Sequence, residues 1–262
     1  MYQIKDTIKM ETQKIALVTG GSRGLGKNMA IALAQKGNDV IITYNSKKAE
    51  AEEVVATIAA LGQKAAALQL NVGEVKGFDH FVAQLSTILT EKWGRPSFDF
   101  LINNAGIGIN TPFAETTEEQ FDLLMNIQFK GVYFLTQKLL MNIANNGRII
   151  NVSTGLTRFA LPGYSTYASL KGAIEVFTKY LAKELGTRGI AVNTIAPGAI
   201  ETDFGGGVVR DNEQMNKGIA SNTALGRVGL PNDIGGVVAF LCSEDGGWVN
   251  AQRLEVSGGM FI

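Results

Sequence analysis

Two residues that can move a proton stand four positions apart in the second half of the chain. Tyr167 and Lys171 lie in a stretch with helical periodicity, so their side chains share one face of a helix. A tyrosine, whose usual pKa is about 10, becomes a useful acid or base when nearby positive charge favours its phenolate. Lys171 supplies such a charge, whereas Tyr164 lacks a lysine four residues on. The pair therefore predicts proton transfer of the kind that carbonyl reduction requires, with Tyr164 packing on the substrate side.

A glycine-rich turn near the start of the chain is the second feature with chemical potential. The apolar run Ile15–Thr19 leads into Gly20-Gly21-Ser22-Arg23-Gly24-Leu25-Gly26 and then into a helical stretch. Glycines allow a sharp turn and a close approach of backbone to phosphate, and a helix N-terminus offers free N–H groups and partial positive charge. The turn predicts a dinucleotide site, with a ligand-free glycine turn as the alternative.

Alternating strand and helix patterns must position these residues. Strands separated by helices of ten or more residues predict a parallel sheet with helices on both faces, in a single α/β domain of the Rossmann type. The predicted strands are Ile15–Thr19, Asp39–Tyr44, Ala66–Leu70, Phe98–Asn103, Gly147–Val152, Ile190–Ile195 and Arg253–Val256. The predicted helices are Gly26–Gln35, Lys48–Leu61, Gly77–Thr90, Glu118–Ile143, Tyr164–Leu185 and Asp233–Leu241.

The same sequence patterns predict where the domain begins and where its longest loop lies. Residues 1–13 are predicted to be a flexible tail, and residues 14–262 a single domain of about seven strands. Thr202–Gly226 is rich in glycine, lacks clear periodicity and is long for a connection, so we expect a mobile substrate loop.

Composition narrows the class of protein. Lys and Arg total 24 and Asp and Glu total 24, so the 262-residue chain has a formal net charge of zero, and 45% of its residues are hydrophobic. Such a balance argues against disorder and against a nucleic-acid binder. One cysteine, Cys242, and the absence of a signal-like segment favour the cytoplasm, while the lone His80 argues against a metal site. The longest apolar runs are too short to predict a membrane span.

Five motifs in order carry a family resemblance. They are Thr19–Gly26 with the spacing T-G-x-x-x-G-x-G, Asn103-Asn104-Ala105-Gly106, Asn126, Tyr167-x-x-x-Lys171 and Pro197-Gly198. From Lys14 onward the chain resembles the non-extended short-chain dehydrogenases/reductases, and within them the 3-oxoacyl-[acyl-carrier-protein] reductases. The resemblance implies hydride transfer between a nicotinamide and a carbonyl or secondary alcohol. It also implies a homodimer or homotetramer.

The resemblance assigns catalytic roles residue by residue. It implies that Tyr167 is the acid or base and that Lys171 tunes it while binding the nicotinamide ribose. The family's catalytic hydroxyl stands thirteen residues before the tyrosine, which here is Thr154 in place of the usual Ser; Ser153 is the alternative. Asn126 is implied to kink its helix and hold a water of a proton relay, with an ordinary helix-packing Asn as the other interpretation.

The cofactor is predicted to be NADP(H). The second predicted strand ends in Tyr44-Asn45-Ser46-Lys47 without the carboxylate that usually holds the 2′-hydroxyl of NAD, and Arg23 resembles the basic residue of NADP-dependent members. Asn71 stands where the family usually has Asp. The predicted cofactor contacts are Gly20, Ser22, Arg23, Gly24, Leu25, Gly26, Tyr44, Asn45, Ser46, Asn71, Val72, Asn104, Ala105, Gly106, Tyr167, Lys171, Pro197, Gly198, Ile200 and Thr202.

These features together predict an NADP(H)-dependent carbonyl reductase or alcohol dehydrogenase. A 3-oxoacyl thioester, free or carrier-bound, is the substrate class we expect, and a sugar, steroid or quinone carbonyl is the alternative. A second hypothesis is a non-catalytic NADP(H)-sensing or scaffold protein, but such proteins lose the Tyr or Lys that this chain keeps. An epimerase or dehydratase of the extended branch would show G-x-x-G-x-x-G and a larger C-terminal domain, which this sequence does not.

Overall fold

A computed structural model describes residues 13–262, so all of the predicted tail except Gln13 lies outside the described residues. Within this range seven strands form one parallel sheet, as predicted, and their order in the sheet is β3-β2-β1-β4-β5-β6-β7. The strands are β1 Ile15–Val18, β2 Asp39–Tyr44, β3 Ala65–Gln69, β4 Phe98–Asn103, β5 Ile143–Val152, β6 Ala191–Pro197 and β7 Arg253–Val256. The helices are α1 Gly24–Gln35, α2 Lys48–Ala60, α3 Phe78–Trp93, α4 Glu118–Met125, α5 Gly131–Leu139, α6 Ser165–Leu185, α7 Val208–Asp211, α8 Glu213–Ser221 and α9 Asn232–Leu241.

Helices cover both faces of the sheet, which explains why its central strands are continuous apolar runs. On one face α1, α2 and α9 contribute Leu33, Ile58 and Val238 to a buried cluster. On the other, α3, α5 and α6 contribute to a second cluster that includes Leu85 and Leu139. The two clusters hold the sheet rigid beneath the loops that follow its strands.

The direction of the strands determines where a ligand can bind. Because all seven strands are parallel, their carboxyl ends meet at one edge, and the connections leave the sheet in opposite directions from β1 and β4. The crevice outside such a reversal point is the usual ligand site of an open α/β sheet. The glycine turn follows β1, and the Tyr167–Lys171 helix follows β5, so both open onto this edge.

The helix predicted over Glu118–Ile143 is not continuous. Helix α4 ends at Met125, residues Asn126–Lys130 form a wider π-helical turn, and α5 ends at Leu139. In the π turn the Gly131 N–H donates to the Asn126 carbonyl, five residues back. The chain then enters β5 at Ile143, four residues before the predicted start, where Ile143 pairs with Phe98 ahead of a register shift. π turns inside α-helices are frequent at functional sites.

The predicted loop over Thr202–Gly226 contains regular structure that the sequence did not reveal. Helices α7 and α8 fall within it, and the Asn212 side chain accepts the Met215 N–H to cap α8. The glycines Gly205, Gly206 and Gly207 before α7 all have positive φ. These turns break any long periodicity, α7 has only four residues, and the apolar face of α8 is as short as Met215 and Ile219, so the sequence shows no long helical pattern here.

Candidate active site

Tyr167 and Lys171 lie side by side on α6, and both are buried. Tyr167 is 7% exposed and Lys171 is 5% exposed. The Lys171 Nζ donates to the Val152 carbonyl at 2.9 Å and lies 5.8 Å from the centroid of the Tyr167 ring. The end of β5 thus fixes the ammonium beside the phenol, as the four-residue spacing predicts.

The two hydroxyl candidates after β5 point in different directions. Thr154 has an extended backbone, and its side chain accepts the Leu156 N–H at 3.3 Å and lies close enough to the Tyr167 phenol to lower the pKa of that group. The Ser153 hydroxyl instead donates to the Glu175 carboxylate at 2.7 Å. Successive side chains of an extended chain face opposite sides. The structure therefore brings Thr154 to Tyr167 and turns Ser153, the alternative candidate, away from it.

Burial sets the protonation of the pair. Desolvation raises the pKa of Tyr167 above its usual value, and the nearby Tyr164 raises it further, while the hydrogen bond to Thr154 lowers it. Burial lowers the pKa of Lys171 to about 7. The sequence argument expected the ammonium to pull the phenol's pKa down. In the folded chain desolvation raises the pKa of Tyr167 instead, so this residue carries its proton at neutral pH.

Two residues with side-chain amides, Asn126 and Gln128, lie at the helix break. Asn126 is half-buried at the start of the π turn, and its carbonyl is the group that closes this turn. Gln128, two residues on, is fully buried; its Nε2 donates to the Ile107 carbonyl, and its Oε1 has no protein partner. The structure confirms a break at Asn126 and leaves its relay role as a prediction. The sequence analysis missed Gln128.

The glycine turn has the shape of a phosphate cradle. Gly20 and Gly24 have φ of 65° and 54°, in the left-handed region that favours glycine. A Cβ at Gly26 would lie 2.1 Å from the Gly20 carbonyl oxygen. Helix α1 begins at Gly24, two residues earlier than predicted, and carries no acidic residue in its first turn. Its N–H groups and partial positive charge therefore face the turn, which Ser22 and Leu25 complete.

The run after β4 braces this turn. The Asn104 Nδ2 donates to the Thr19 carbonyl at 2.9 Å and to the Gly20 carbonyl at 3.2 Å. The Ala105 N–H donates to the Thr19 hydroxyl at 3.0 Å. A Cβ at Gly106 would lie 2.9 Å from the Gln128 Oε1, so glycine keeps this passage open beside the helix break. Asn103 serves the sheet itself, because its Nδ2 donates to Asn151 Oδ1 at 2.8 Å.

The residues predicted to surround the adenosine end lie together at the ends of β2 and β3. Tyr44 ends β2, and its carbonyl accepts the Leu70 N–H at 2.8 Å. The Asn45 carbonyl accepts from Gln69, and Asn71 Oδ1 accepts the Gly73 N–H at 3.0 Å. These residues line a cavity of about 580 Å³. The remaining predicted residues of this region are the exposed Ser46 and the half-buried Val72.

Arg23 ties the glycine turn to the segment after β6. Its Nη1 lies 3.3 Å from Asp203 Oδ2, and Arg210 contacts the other oxygen of the same carboxylate at 2.7 Å. These arginines hold the pKa of Asp203 below its usual value, with the hydrogen bond from Arg210 as the main cause. Side-chain atoms of Thr202 lie 3.7 Å from the position of a Cβ on Gly24.

The segment after β6 closes over the catalytic pair. Pro197 ends β6, the Gly198 N–H donates to the Val256 carbonyl, and Ile200 pairs with Gly229. The ring of Phe204 stands 5.9 Å from that of Tyr167. It also occupies the space that a side chain on Gly108 would need, since a Cβ there would lie 2.5 Å from the Phe204 ring.

An apolar cavity of about 510 Å³ opens at the start of α6, and Thr154, Tyr167 and Lys171 are not among the residues that line it. Tyr164, the residue before α6, lies in its wall, and its packing against the substrate stays a prediction. The other lining residues are Pro112, Phe113, Leu156, Ala160, Leu161, Pro162, Gly163, Ser165 and Ala168. Such a lining suits an apolar ligand better than a charged one.

Two charged residues near the site were not singled out from the sequence. Glu175 accepts the Ser153 and Thr157 hydroxyls and the Arg253 Nε, each at 2.7 Å. Glu175 stands four residues beyond Lys171, so the helical spacing was a usable signal. Arg253 offered none, because it reaches the site from β7, 78 residues further along the chain.

Other kinds of site find no support in residues 13–262. This range contains no group of three or more His, Cys, Asp and Glu side chains arranged to hold a metal ion. None of its helices combines the length and apolar character needed to cross a membrane.

Comparison with known proteins agrees with this geometry. The family model described as Enoyl-(Acyl carrier protein) reductase matches residues 20–261. A hydroxynaphthalene reductase-like protein of Metarhizium majus is 35% identical over 270 residues, covering 99% of both chains. Among solved structures, the promiscuous reductase LugOII, which catalyses keto-reduction at C1 during lugdunomycin biosynthesis, superposes with a TM-score of 0.91 at 36% identity, covering 96% of this chain and 99% of its own. The angucycline C-6 ketoreductase LanV with bound NADP gives 0.90 at 35% identity and 95% coverage of each.

The chain therefore belongs to the short-chain dehydrogenases/reductases, a family of oxidoreductases. This confirms the family and the reaction class that the five sequence motifs predicted.

Proposed function

We propose that the chain is an NADP(H)-dependent reductase that acts on a ketone, or in reverse on a secondary alcohol, with a ring-containing apolar substrate. The observation that carries the proposal is the grouping of the buried Tyr167 phenol with the Thr154 side chain and the Lys171 ammonium at the carboxyl edge of the sheet. Such a set can bind a carbonyl oxygen and deliver a proton to it.

Each side chain has one task. The Thr154 hydroxyl donates a hydrogen bond to the substrate carbonyl, which polarises it. Tyr167, whose pKa burial keeps high, gives its phenolic proton to that oxygen as negative charge develops there. Lys171 beside the ring favours the phenolate that remains, because an ammonium stabilises nearby negative charge. Because Tyr167 and Lys171 are buried, little water screens the charge that develops during the reaction.

The residues present fit a dinucleotide. Because no Cβ could be accommodated at Gly26, and because α1 presents its N-terminus to the turn, the pyrophosphate would lie against Gly20–Gly26. Tyr44, Asn45 and Asn71 would hold the adenosine half. Ile200 and Thr202, in the segment after β6, would hold the nicotinamide half, together with Pro197, Gly198 and Lys171. When bound, the nicotinamide supplies or accepts the hydride.

Charge at the adenosine end favours the 2′-phosphorylated form of the cofactor. The exposed Arg23 guanidinium lies in the turn itself, and Tyr44–Lys47 lacks a carboxylate that would repel a phosphate. LanV was crystallised with NADP. We therefore assign NADP(H) in preference to NAD(H).

The substrate assignment rests on the cavity. Its apolar and aromatic lining matches a fused-ring ketone, and the reductases named above act, by their names, on hydroxynaphthalene-type and angucycline compounds. A 3-oxoacyl thioester remains the second candidate, in keeping with the carrier-protein description of the family model. Both substrates present a ketone to the same three side chains.

The test is NADPH oxidation by purified protein against fused-ring ketones, an acetoacetyl thioester, quinones and sugars. We expect turnover with the ring ketones that is faster with NADPH than with NADH. In Tyr167→Phe the kcat should fall by at least about 100-fold. Tyr180→Phe is the matched control, since Tyr180 lies on the same helix and is 65% exposed. Full turnover by Tyr167→Phe would overturn the mechanism. NADPH binding without turnover of any ketone would favour the sensing protein instead.

A further inference from the structure

A half-buried ion pair lies directly behind the catalytic residues. Tyr167, Lys171 and Glu175 are spaced by four and so follow one face of α6. One oxygen of the Glu175 carboxylate accepts three hydrogen bonds, from Ser153, Thr157 and Arg253. The Glu175 and Arg253 side chains are 18% and 23% exposed, so water screens their contact only in part.

Arg253 connects this carboxylate to the backbone of Thr154. Its Nε donates to Glu175 at 2.7 Å, and its Nη2 donates to the Thr154 carbonyl at 3.0 Å and to the Thr157 hydroxyl at 3.1 Å. The remaining nitrogen, Nη1, donates to Glu255 at 2.5 Å. A planar guanidinium with all its nitrogens engaged holds its partners in one fixed arrangement.

Three consecutive residues at the end of β5 are therefore each fixed from outside the strand. Lys171 holds the Val152 carbonyl, Glu175 holds the Ser153 hydroxyl, and Arg253 holds the Thr154 carbonyl. Hydrogen bonds to the next strand end at this point, and the chain turns into a loop at Gly155. These three contacts therefore hold the backbone of Thr154, the residue whose side chain must point to Tyr167.

We propose that Glu175 and Arg253 are positioning residues that aim the Thr154 hydroxyl at the reacting carbonyl by holding its backbone. The assignment rests on the role of Thr154 in the proposed function. Catalytic groups must lie within about 0.5 Å of the productive geometry, and small misplacements can cost up to about 100-fold in rate. The pair acts on kcat through Thr154 and leaves the cofactor site unchanged.

A double-mutant cycle tests this mechanism. Arg253→Met is expected to lower kcat by about 10- to 100-fold, with KM for NADPH within about twofold of wild type. Thr154→Val should lower kcat at least as much. In the double variant, measured by single-turnover rates with enzyme in excess, Arg253→Met should cause no further loss, because the hydroxyl it positions is already gone. A purely structural role would give losses that add.

A control and a second variant keep the test decisive. Arg188→Met removes an arginine that donates to the Leu140 and Ile143 carbonyls at the opposite end of β5, so it should change the melting temperature and not kcat. If Arg253→Met fails to fold, Glu175→Gln serves in its place, since it removes the charge and retains the shape. Additive losses would overturn this inference and leave the proposed function standing. So would wild-type kcat in both Arg253→Met and Glu175→Gln when Thr154→Val is impaired. Wild-type activity of Thr154→Val would overturn the role of Thr154 in the proposed function.

Discussion

At the scale of single residues, burial controls the protonation of both Tyr167 and Lys171. Burial raises the pKa of Tyr167 and lowers that of Lys171 to about 7, because a low-dielectric site disfavours both charged forms. The phenol is therefore loaded with a proton at neutral pH, which suits ketone reduction. The lysine is the member of the pair that titrates within the physiological range.

The first prediction concerns that titration. Below about pH 7 Lys171 is an ammonium that favours loss of the phenolic proton, and above it this assistance disappears. The kcat of ketone reduction should therefore be level at acid pH and fall as pH rises through about 7. Lys171→Met should be slow throughout and should lack this step. A profile from pH 5 to 9 measures both. Persistence of the same step in Lys171→Met would assign it to another group.

The second prediction separates the two neighbouring hydroxyls. Thr154→Ser keeps a hydroxyl facing Tyr167 and should retain kcat within about threefold, whereas Thr154→Val should lose about 100-fold. Ser153→Ala removes one of three donors to Glu175, so it should cost about 1 kcal/mol of unfolding free energy with kcat nearly unchanged. Steady-state kinetics and urea unfolding measure the two effects. A larger kinetic loss in Ser153→Ala than in Thr154→Val would reverse the assignment.

At the scale of elements, the sequence predicted best what burial dictates. The strands β2 and β4 have the predicted bounds, because a strand covered on both faces needs an apolar run. The edge strand β7 also has its predicted bounds, although its residues are only half-buried. The break at Asn126 was expected from the family resemblance alone, and the helical periodicity did not reveal that it is a π turn over Asn126–Lys130, because the apolar pattern passes through it. The Glu175–Arg253 contact was missed because it joins elements that are distant in sequence and meet only in the folded sheet. Local patterns therefore indicate which face is buried, but not which polar groups meet there.

The third prediction tests the packing that supports the glycine turn. Helix α9 crosses α1 at Gly235, where a Cβ would lie 2.4 Å from Asn28 Oδ1 and 2.8 Å from the Ala32 Cβ. Gly235→Ala should therefore lower the unfolding free energy by about 1 to 3 kcal/mol. The adjacent Gly236, with nothing within 4 Å, is the matched control, and Gly236→Ala should raise it by about 0.5 to 1 kcal/mol. Urea denaturation measures both, and equal effects would show that α1 and α9 pack differently.

At the scale of the whole molecule, a formal net charge of zero gives an anionic cofactor no general attraction. Preference for NADPH over NADH must then come from individual cationic side chains at the carboxyl edge of the sheet. Arg23 is placed for this task, and its ion pair with Asp203 also connects the cofactor end of the site to the segment that carries Phe204. Asp203 retains Arg210 when Arg23 is removed, so the segment keeps one anchor.

The fourth prediction follows from that arrangement. Arg23→Ala should raise KM for NADPH by about 10-fold or more, the value of a charge-assisted hydrogen bond of roughly 1.5 to 3 kcal/mol, and leave KM for NADH nearly unchanged. It should also weaken the rise of the NADPH KM with salt, because screening acts on the contact that has been removed. Lys217→Ala is the control, since it removes an equal charge from an exposed pair with Glu213 that lines neither cavity. Equal losses with both cofactors would indicate damage to the glycine turn, and an unchanged NADPH KM would place the 2′-phosphate on another residue.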